Sequence, residues 1–308
     1  MDLLERVRAT GLVPDGGRVV VLLSGGRDSV CLLDVAARIG DASALHVNYG
    51  LREDSDADEA SCRALCARLG VKLEVERAIV PGDAGNLQAW ARDVRYGAGA
   101  RIALRDDALL AAGHTATDQA ETILYRLASS PSRRALLGMS ALDGKLVRPL
   151  LSFTREETRS HCLSRGLSWV EDSSNDGDAY ARGRVRHGLV PALEAVHPAA
   201  QRNVIRAAQL LREEAAVLDE VVDTALAGRN HVTLDHLRIL PLALGRLVVR
   251  RLAEDAVGAL CPRVSARYEE VLDLDDHAML DLGDGARAVV DSGVLRFERT
   301  PPLPVRTL

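Results

Sequence analysis

The sequence predicts an α/β fold, a doubly wound parallel sheet followed by a smaller, mainly helical C-terminal domain. Three observations predict it. From Arg18 to Thr122, short apolar runs alternate with helical stretches, the rhythm of successive β–α units. Val19–Leu23 is an unbroken run of five apolar residues, the composition of a strand buried on both faces of a parallel sheet. Directly after it, Ser24-Gly25-Gly26 turns the chain abruptly into the helical pattern VCLLDVAARIG, so strand, tight turn and helix start follow one another.

Each element has its own warrant. Asp28 and Ser29 can cap the first of these helices. ASALHVNYG (Ala42–Gly50) reads as a second strand ending in polar residues, where open sheets bind ligands. Asp56 is placed as the cap of a helix reaching Leu69, and VKLEVER (Val71–Arg77) alternates as a third strand. Leu87–Leu104 is helical, DALLAAG (Asp107–Gly113) is a fourth buried strand, and the chain leaves it through the polar segment His114–Glu121. Thr154 and Glu157 form a capping box, to which no chemistry is assigned. Pro198–Leu226 is a long amphipathic helix with Arg202 and Arg206 on one face, the connector to a second domain. Beyond it lie helical Leu242–Asp255, a helix near Val264–Leu272, and short strands at MLDL, ARAVV and VLRF. The expected division is a catalytic domain over 1–197, a connecting helix over 198–228 and a small domain over 229–308.

A chain of 308 residues with 47% hydrophobic content can bury a full core. The N-terminus lacks an apolar leader and no segment has membrane-spanning length, so a cytoplasmic location is expected. Five cysteines include no C-x-x-C pair; Cys62 and Cys66, four apart on one helix face, read as buried thiols rather than metal ligands. The net charge of −5 argues mildly against a general nucleic-acid binder. Arg126–Arg206 nevertheless holds 13 basic against 8 acidic residues, which suits a phosphate-docking face and a solvated surface about equally.

The loop Ser24, Gly25, Gly26, Arg27, Asp28, Ser29 offers backbone N–H groups at a helix start, an anion cradle for a phosphate or pyrophosphate. It lacks the Gly-Lys-Ser/Thr of a Walker A loop, and no G-x-G-x-x-G occurs in the chain. Asp118 and Glu121, three apart at a helix start, fit a cap as well as a catalytic pair. His114 and the preceding strand end favour a site, because carboxylates and an imidazole then converge where phosphates would lie. His46 taken alone reads as a core histidine.

SGGRDS resembles the S-G-G-x-D-S loop of the PP-loop ATP pyrophosphatases, which cleave ATP between the α- and β-phosphates. Together with His46–Arg52, ARDVRY (Ala91–Tyr96), GHTATDQAET (Gly113–Thr122), VRPLL (Val147–Leu151), WVEDSSN (Trp169–Asn175) and YARGRVR (Tyr180–Arg186), in this order, it is similar to the tRNA(Ile)-lysidine synthetases. The resemblance runs from about Val19 to Pro191 and more weakly beyond, as a short form without the family's last C-terminal domain. It implies a ligase that converts the wobble cytidine of a tRNA(Ile) with a CAU anticodon to lysidine, through an adenylated cytidine, using ATP, Mg²⁺ and L-lysine. It implies Asp28, His114, Asp118 and Glu121 as catalytic residues and Asp28 and Asp118 as metal ligands. Arg182, Arg184 and Arg186 fall to the lysine carboxylate or tRNA phosphates; a homodimer is left open.

The chain departs from that family where Thr117 replaces the first Asp of H-x-x-D-D, and where Ser129-Ser130-Pro131-Ser132 replaces an Arg-Gly-Ser/Thr-Gly stretch. Gly183 also stands for an Asn, and Ala135 for a Gly. The alternatives are a PP-loop tRNA thiolase, which would need reactive or metal-binding cysteines, and a tRNA-binding protein with a degraded catalytic site.

Overall fold

The computed structural model describes residues 1–51, 54–82, 85–130, 133–171 and 181–301; the side chain of Arg182, residues 131–132, and residues 172–175 and 180 of the motifs expected at 169–175 and 180–186 lie outside the description. The chain forms two compact units, Met1–Gln209 and Leu210–Leu308. In chain order the first contains α1 (Leu3–Ala9), β1 (Arg18–Leu22), α2 (Arg27–Ile39), β2 (Asp41–Asn48), α3 (Ser55–Leu69), β3 (Lys72–Arg77), α4 (Leu87–Arg105) and β4 (Leu109–Ala111). Then follow α5 (Ala116–Ser129), α6 (Arg133–Leu136), β5 (Leu142–Asp143), β6 (Leu146–Val147), α7 (Arg155–Ser164), α8 (Ala181–Arg184), a π-helical turn Val185–Leu189 and α9 (Val190–Val196). The unit boundary falls inside α10 (Ala200–Leu226).

Six strands lie in the order β3-β2-β1-β4-β6-β5, all pairs parallel except β5 with β6. β1, apolar and buried from Val19 on, is central, its Val21 paired with Ala44 on one side and Ala111 on the other. Successive strands build outward from β1 through β2 to β3, and the chain then crosses back to lay β4 on the opposite side. That reversal opens a crevice at the carboxyl ends of β1 and β4, the switch point where open α/β sheets bind ligands. The segments leaving these two strands are the glycine-rich turn after β1 and Gly113–Thr115 after β4. They touch: a Cβ on Gly113 would sit 3.0 Å from the Asp28 carbonyl oxygen and 3.1 Å from Ser29 N.

One face of α2 packs on α7, and its spacing decides what reaches the crevice. Asp28, Cys31 and Asp34, at i, i+3 and i+6, share that face. Buried Asp34, 1% exposed, meets His161 Nε2 at 2.8 Å and the Arg165 guanidinium at 3.4 Å. Burial works to raise its pKa, but the hydrogen bonds and charges of His161 and Arg165 hold it below the ordinary carboxylate range. One turn nearer the N-terminus, the Thr158 hydroxyl donates to Asp28 Oδ1 at 2.6 Å. Two caps differ from expectation. Gly26, not Asp28 or Ser29, precedes α2, because the Ser29 hydroxyl folds back to the Gly26 carbonyl (2.8 Å) and accepts from Ser24 N (3.2 Å). Asp54 precedes α3, while Asp56 accepts from Asn48 Nδ2 at 3.0 Å.

The second unit corrects the expectation of a mainly helical domain. It holds β7 (His231–Thr233), α11 (Leu234–Ile239), α12 (Leu242–Val257), α13 (Tyr268–Leu272), β8 (Met279–Gly283), β9 (Ala286–Asp291) and β10 (Val294–Arg299). The strands form an antiparallel sheet in the order β7-β10-β9-β8, which organises the core. Asp284-Gly285 and Ser292-Gly293 turn its hairpins, all four residues at positive φ, the two-residue turn chemistry that matches strand twist. The three strands expected from sequence are therefore one sheet with β7, on which Val248, Val249 and Leu252 of α12 pack. Among the described residues, no helix is long and apolar enough to cross a membrane.

Because the added methyl would meet backbone rather than a movable side chain, Gly113→Ala should destabilise the first unit by about 1–3 kcal/mol. A thermal melt unchanged from wild type would show that the two crevice segments can separate freely.

Candidate active site

The cradle is built by short-range hydrogen bonds. Gly25 adopts φ +84°, a conformation that favours glycine, and a Cβ there would also press on Cys62 Sγ at 3.3 Å. Its carbonyl accepts from Val170 N at 2.9 Å, which ties the 169–171 segment to the loop. The Ser24 and Ser29 hydroxyls are 3.1 Å apart and brace the turn across its mouth. Val30 N is the first to bond back into α2, to Gly26, so helix geometry leaves the N–H groups of residues 27–29 without an intrahelical acceptor. Those donors and the helix dipole favour an anion.

Beside this positive end stand three carboxylates from different places in the sequence. Asp118 is the third residue of α5: Thr115 is the N-cap, and Asp118 Oδ2 accepts from Thr115 N (2.8 Å) and Oγ1 (2.9 Å). The cap is thus Thr115 with Asp118, which leaves Glu121 outside it. Glu121, one turn on and 0% exposed, is gripped by Arg186, with Nε to Oε1 at 2.8 Å and Nη2 to Oε2 at 3.2 Å. Arg155 lies among all three acids, 3.1 Å from Asp118 Oδ1, 3.8 Å from Glu121 Oε1 and 3.9 Å from Asp28 Oδ2. Arg27 folds onto Asp28 at 3.1 Å.

Arg186 reaches Glu121 because of how its turn is seated. Val185 is buried against Leu124 of α5 and Val190 of α9, and the next residue of the wide π-helical turn then projects onto α5 one turn earlier. Burial disfavours the Arg186 cation, but the hydrogen bond and charge of Glu121, with Asp118 and Asp28 beyond, outweigh it and hold its pKa above the ordinary arginine value. Of the expected residues, the crevice gathers Ser24–Ser29, Asp118, Glu121 and Arg186, with His114 in the segment between β4 and α5. Arg184 is exposed on α8. His46 is buried, its Nδ1 3.0 Å from the Leu23 carbonyl and 3.4 Å from Cys62 Sγ, a core role. Thr117 is half-buried in the first turn of α5.

Two residues of the candidate site were not singled out in the sequence, Arg155 and Thr158. Arg155 lies within the Thr154–Glu157 capping box and Thr158 directly follows it; the structure confirms the box as a cap. The available signal was the spacing of residues 155, 158 and 162, one face of a helix beginning just after the β6 strand end.

The model of the PP-loop domain family matches residues 4–193. Among curated relatives, the chain is 39% identical over 217 residues to a tRNA(Ile)-lysidine synthase of Pseudomonas fluorescens, covering 67% of this chain and 48% of that protein. It is 36% identical over 279 residues to that of Thermobifida fusca, covering 87% and 85%. The chain thus spans about half the length of some curated relatives and most of the length of others. In fold it is similar to the U34-tRNA thiolase NcsA of Methanococcus maripaludis, with a TM-score of 0.57 and 18% identity over 68% of this chain and 78% of that one.

Removing one partner of a buried pair leaves the other charge uncompensated. Arg186→Met should therefore cost about 3 kcal/mol in chemical denaturation, and adding Glu121→Gln should recover most of it. Equal stability of the single and double variants would mean that the pair is not coupled in solution.

Proposed function

We propose that this chain, which belongs to the PP-loop family and within it to the tRNA(Ile)-lysidine synthases, joins L-lysine to C2 of the wobble cytidine of a tRNA(Ile) bearing a CAU anticodon. ATP would be consumed and AMP and pyrophosphate released. The observation that carries this reading is the meeting of an anion cradle with Asp28, Asp118 and Glu121 at one sheet edge, beside cations that can change partners.

The residues divide the work by charge. N–H groups of the Ser24–Ser29 loop would bind the pyrophosphate and orient the α-phosphate for attack by the cytosine C2 oxygen. His114 and Arg27 would add donors to those phosphates. Asp28 and Asp118 already share one cation, Arg155, and offer the hard oxygen donors that Mg²⁺ prefers, so the residues fit that ion. Bound there, Mg²⁺ would neutralise phosphate charge. Lysine brings an ammonium of reference pKa about 10.4 that must lose a proton before attack. Glu121 is the proposed partner for that ammonium and its proton. Arg186 would exchange from Glu121 to the lysine carboxylate, with Arg182 and Arg184 toward carboxylate or tRNA phosphate.

Thr117 leaves the three-carboxylate set intact, which supports an active enzyme over a degraded one. Thr117→Asp should change the rate by about tenfold or less, roughly 1.4 kcal/mol of barrier. Asp28→Asn should lower pyrophosphate release by more than about tenfold while the protein still melts cooperatively. The deciding experiment incubates the chain with ATP, lysine and a CAU-anticodon tRNA(Ile) transcript and seeks lysidine by mass spectrometry. Neither lysidine nor lysine-dependent AMP would overturn the proposal.

A further inference from the structure

A second concentration of charge lies in the first unit, outside the carboxylate site. Arg92 and Arg95 on α4 flank Tyr96, with guanidinium carbons 4.5 and 5.5 Å from the ring centroid. Arg126 of α5 and Arg148, just after β6, hold carbonyls two residues apart in one segment, Gly138 at 2.8 Å and Ser140 at 2.6 Å. The charge of Arg92 acts on both of them. Among the described residues, none of the four arginines has a carboxylate within ion-pairing distance; Asp143 acts on Arg148 from farther away. Burial, reinforced by the neighbouring cations, pulls Arg126 and Arg148 below the ordinary arginine pKa. Arg148 is only 5% exposed, and its Nε, Arg95 Nε and the Tyr96 hydroxyl are buried without hydrogen-bond partners.

This arrangement is costly to the folded protein by itself. Partly buried cations that repel one another and keep idle donors lower stability unless an anion joins them. The place is also informative. α4 runs opposite to the strands it connects, so its early turns lie at the carboxyl edge of the sheet, where Tyr49, just past β2, donates to the Ala91 carbonyl at 2.8 Å. Arg126 stands five residues beyond Glu121 on α5, about 7–8 Å along the helix axis.

We propose that Arg92, Arg95, Arg126 and Arg148 with Tyr96 form a phosphodiester-binding site, which holds the RNA backbone next to the nucleotide being modified. The inference rests on the proposed function, since a base delivered into the crevice carries a phosphate on either side. Planar guanidiniums match phosphate oxygens in paired hydrogen bonds, and successive phosphates use several cations at once, whereas one amino-acid carboxylate is satisfied by one or two. Arg92 lies over the Tyr96 ring, a cation–π contact that holds its guanidinium in place.

The test compares full-length wild type with Arg92→Gln/Arg95→Gln and Arg92→Lys/Arg95→Lys, using CAU-anticodon tRNA(Ile) titrated at several salt concentrations. The glutamine variant should bind about tenfold or more weakly and lower the salt-dependence slope by about two, while the lysine variant restores most of the slope. The lysine KM at saturating tRNA should be unchanged. Wild-type affinity and slope in the glutamine variant would overturn the phosphodiester site, and a raised lysine KM alongside them would reassign it to the amino-acid carboxylate. A glutamine variant that melts like wild type excludes misfolding, and recovery of slope with lysine excludes loss of packing as the cause. Wild type that fails to bind this tRNA at all would instead remove the proposed function and this site with it.

Discussion

Three carboxylates can share a largely buried crevice only if cations stay among them. Asp28, Asp118 and Glu121 are kept together by Arg27, Arg155 and Arg186, and each arginine arrives from a different part of the chain. This balance makes demands on the surrounding structure. α7 must lie along α2 for Arg155 and Thr158 to reach Asp28, which the Asp34 contacts with His161 and Arg165 secure. The π-helical turn must seat Val185 against Leu124 for Arg186 to reach Glu121. Pairs of this kind contribute little net stability, because desolvation offsets their attraction, yet losing one member is expensive. The network therefore fixes positions more than it adds stability.

Sheet topology explains why these groups meet at all. The reversal of strand order at β1 leaves its carboxyl end and that of β4 adjacent, with no intervening crossover to cover them. Two loops then project into the same space, one supplying N–H donors and the other Thr115, Asp118 and Glu121. Gly113 sets their separation, because any side chain there would press on the first peptide groups of α2. A positive helix end and a set of acids are consequently held side by side, each prevented from collapsing onto the other by arginines between them.

Much of this was legible in the sequence, and the exceptions have a common cause. The buried run of β1, the Ser24–Ser29 turn, the β–α alternation and the proximity of Asp118 and Glu121 are local signals, carried by residues within one or two helical turns. Arg155 and Thr158 act across about 130 residues of sequence on Asp28, and no local pattern marks a side chain's distant partner. Asp118 serves at once as cap partner and site carboxylate, so the choice between those readings was never exclusive. In the second unit three of the strands were legible, but their union into one sheet with β7 rests on Asp284-Gly285 and Ser292-Gly293, two short turn signals, and on a pairing of β7 with β10 about 60 residues away. The arginine cluster at Tyr96 is assembled from α4, α5 and the end of β6, where each member alone looks like a surface cation.

The same physics that makes the site hard to read suits it to a substrate carrying both charges. A free amino acid brings a carboxylate and an ammonium, and entering an empty apolar pocket would strip both of water without replacement. In a crevice already lined with arginine–carboxylate pairs, each incoming charge can take over a contact from a protein group of like sign, so every buried charge keeps a partner throughout. Because a paired and hydrogen-bonded exchange starts and ends with similar electrostatics, its net cost is far below that of burying the zwitterion alone. Glu121 with Arg186 is the pair best placed for such an exchange, since both its members are largely buried and the two hydrogen bonds between them run from side chain to side chain. Asp118 differs, tied by Oδ2 to the backbone and hydroxyl of Thr115, and is held in place while its other oxygen remains with Arg155. On the proposed function, one acid would move with substrate while its neighbour, one turn away on the same helix, stays fixed.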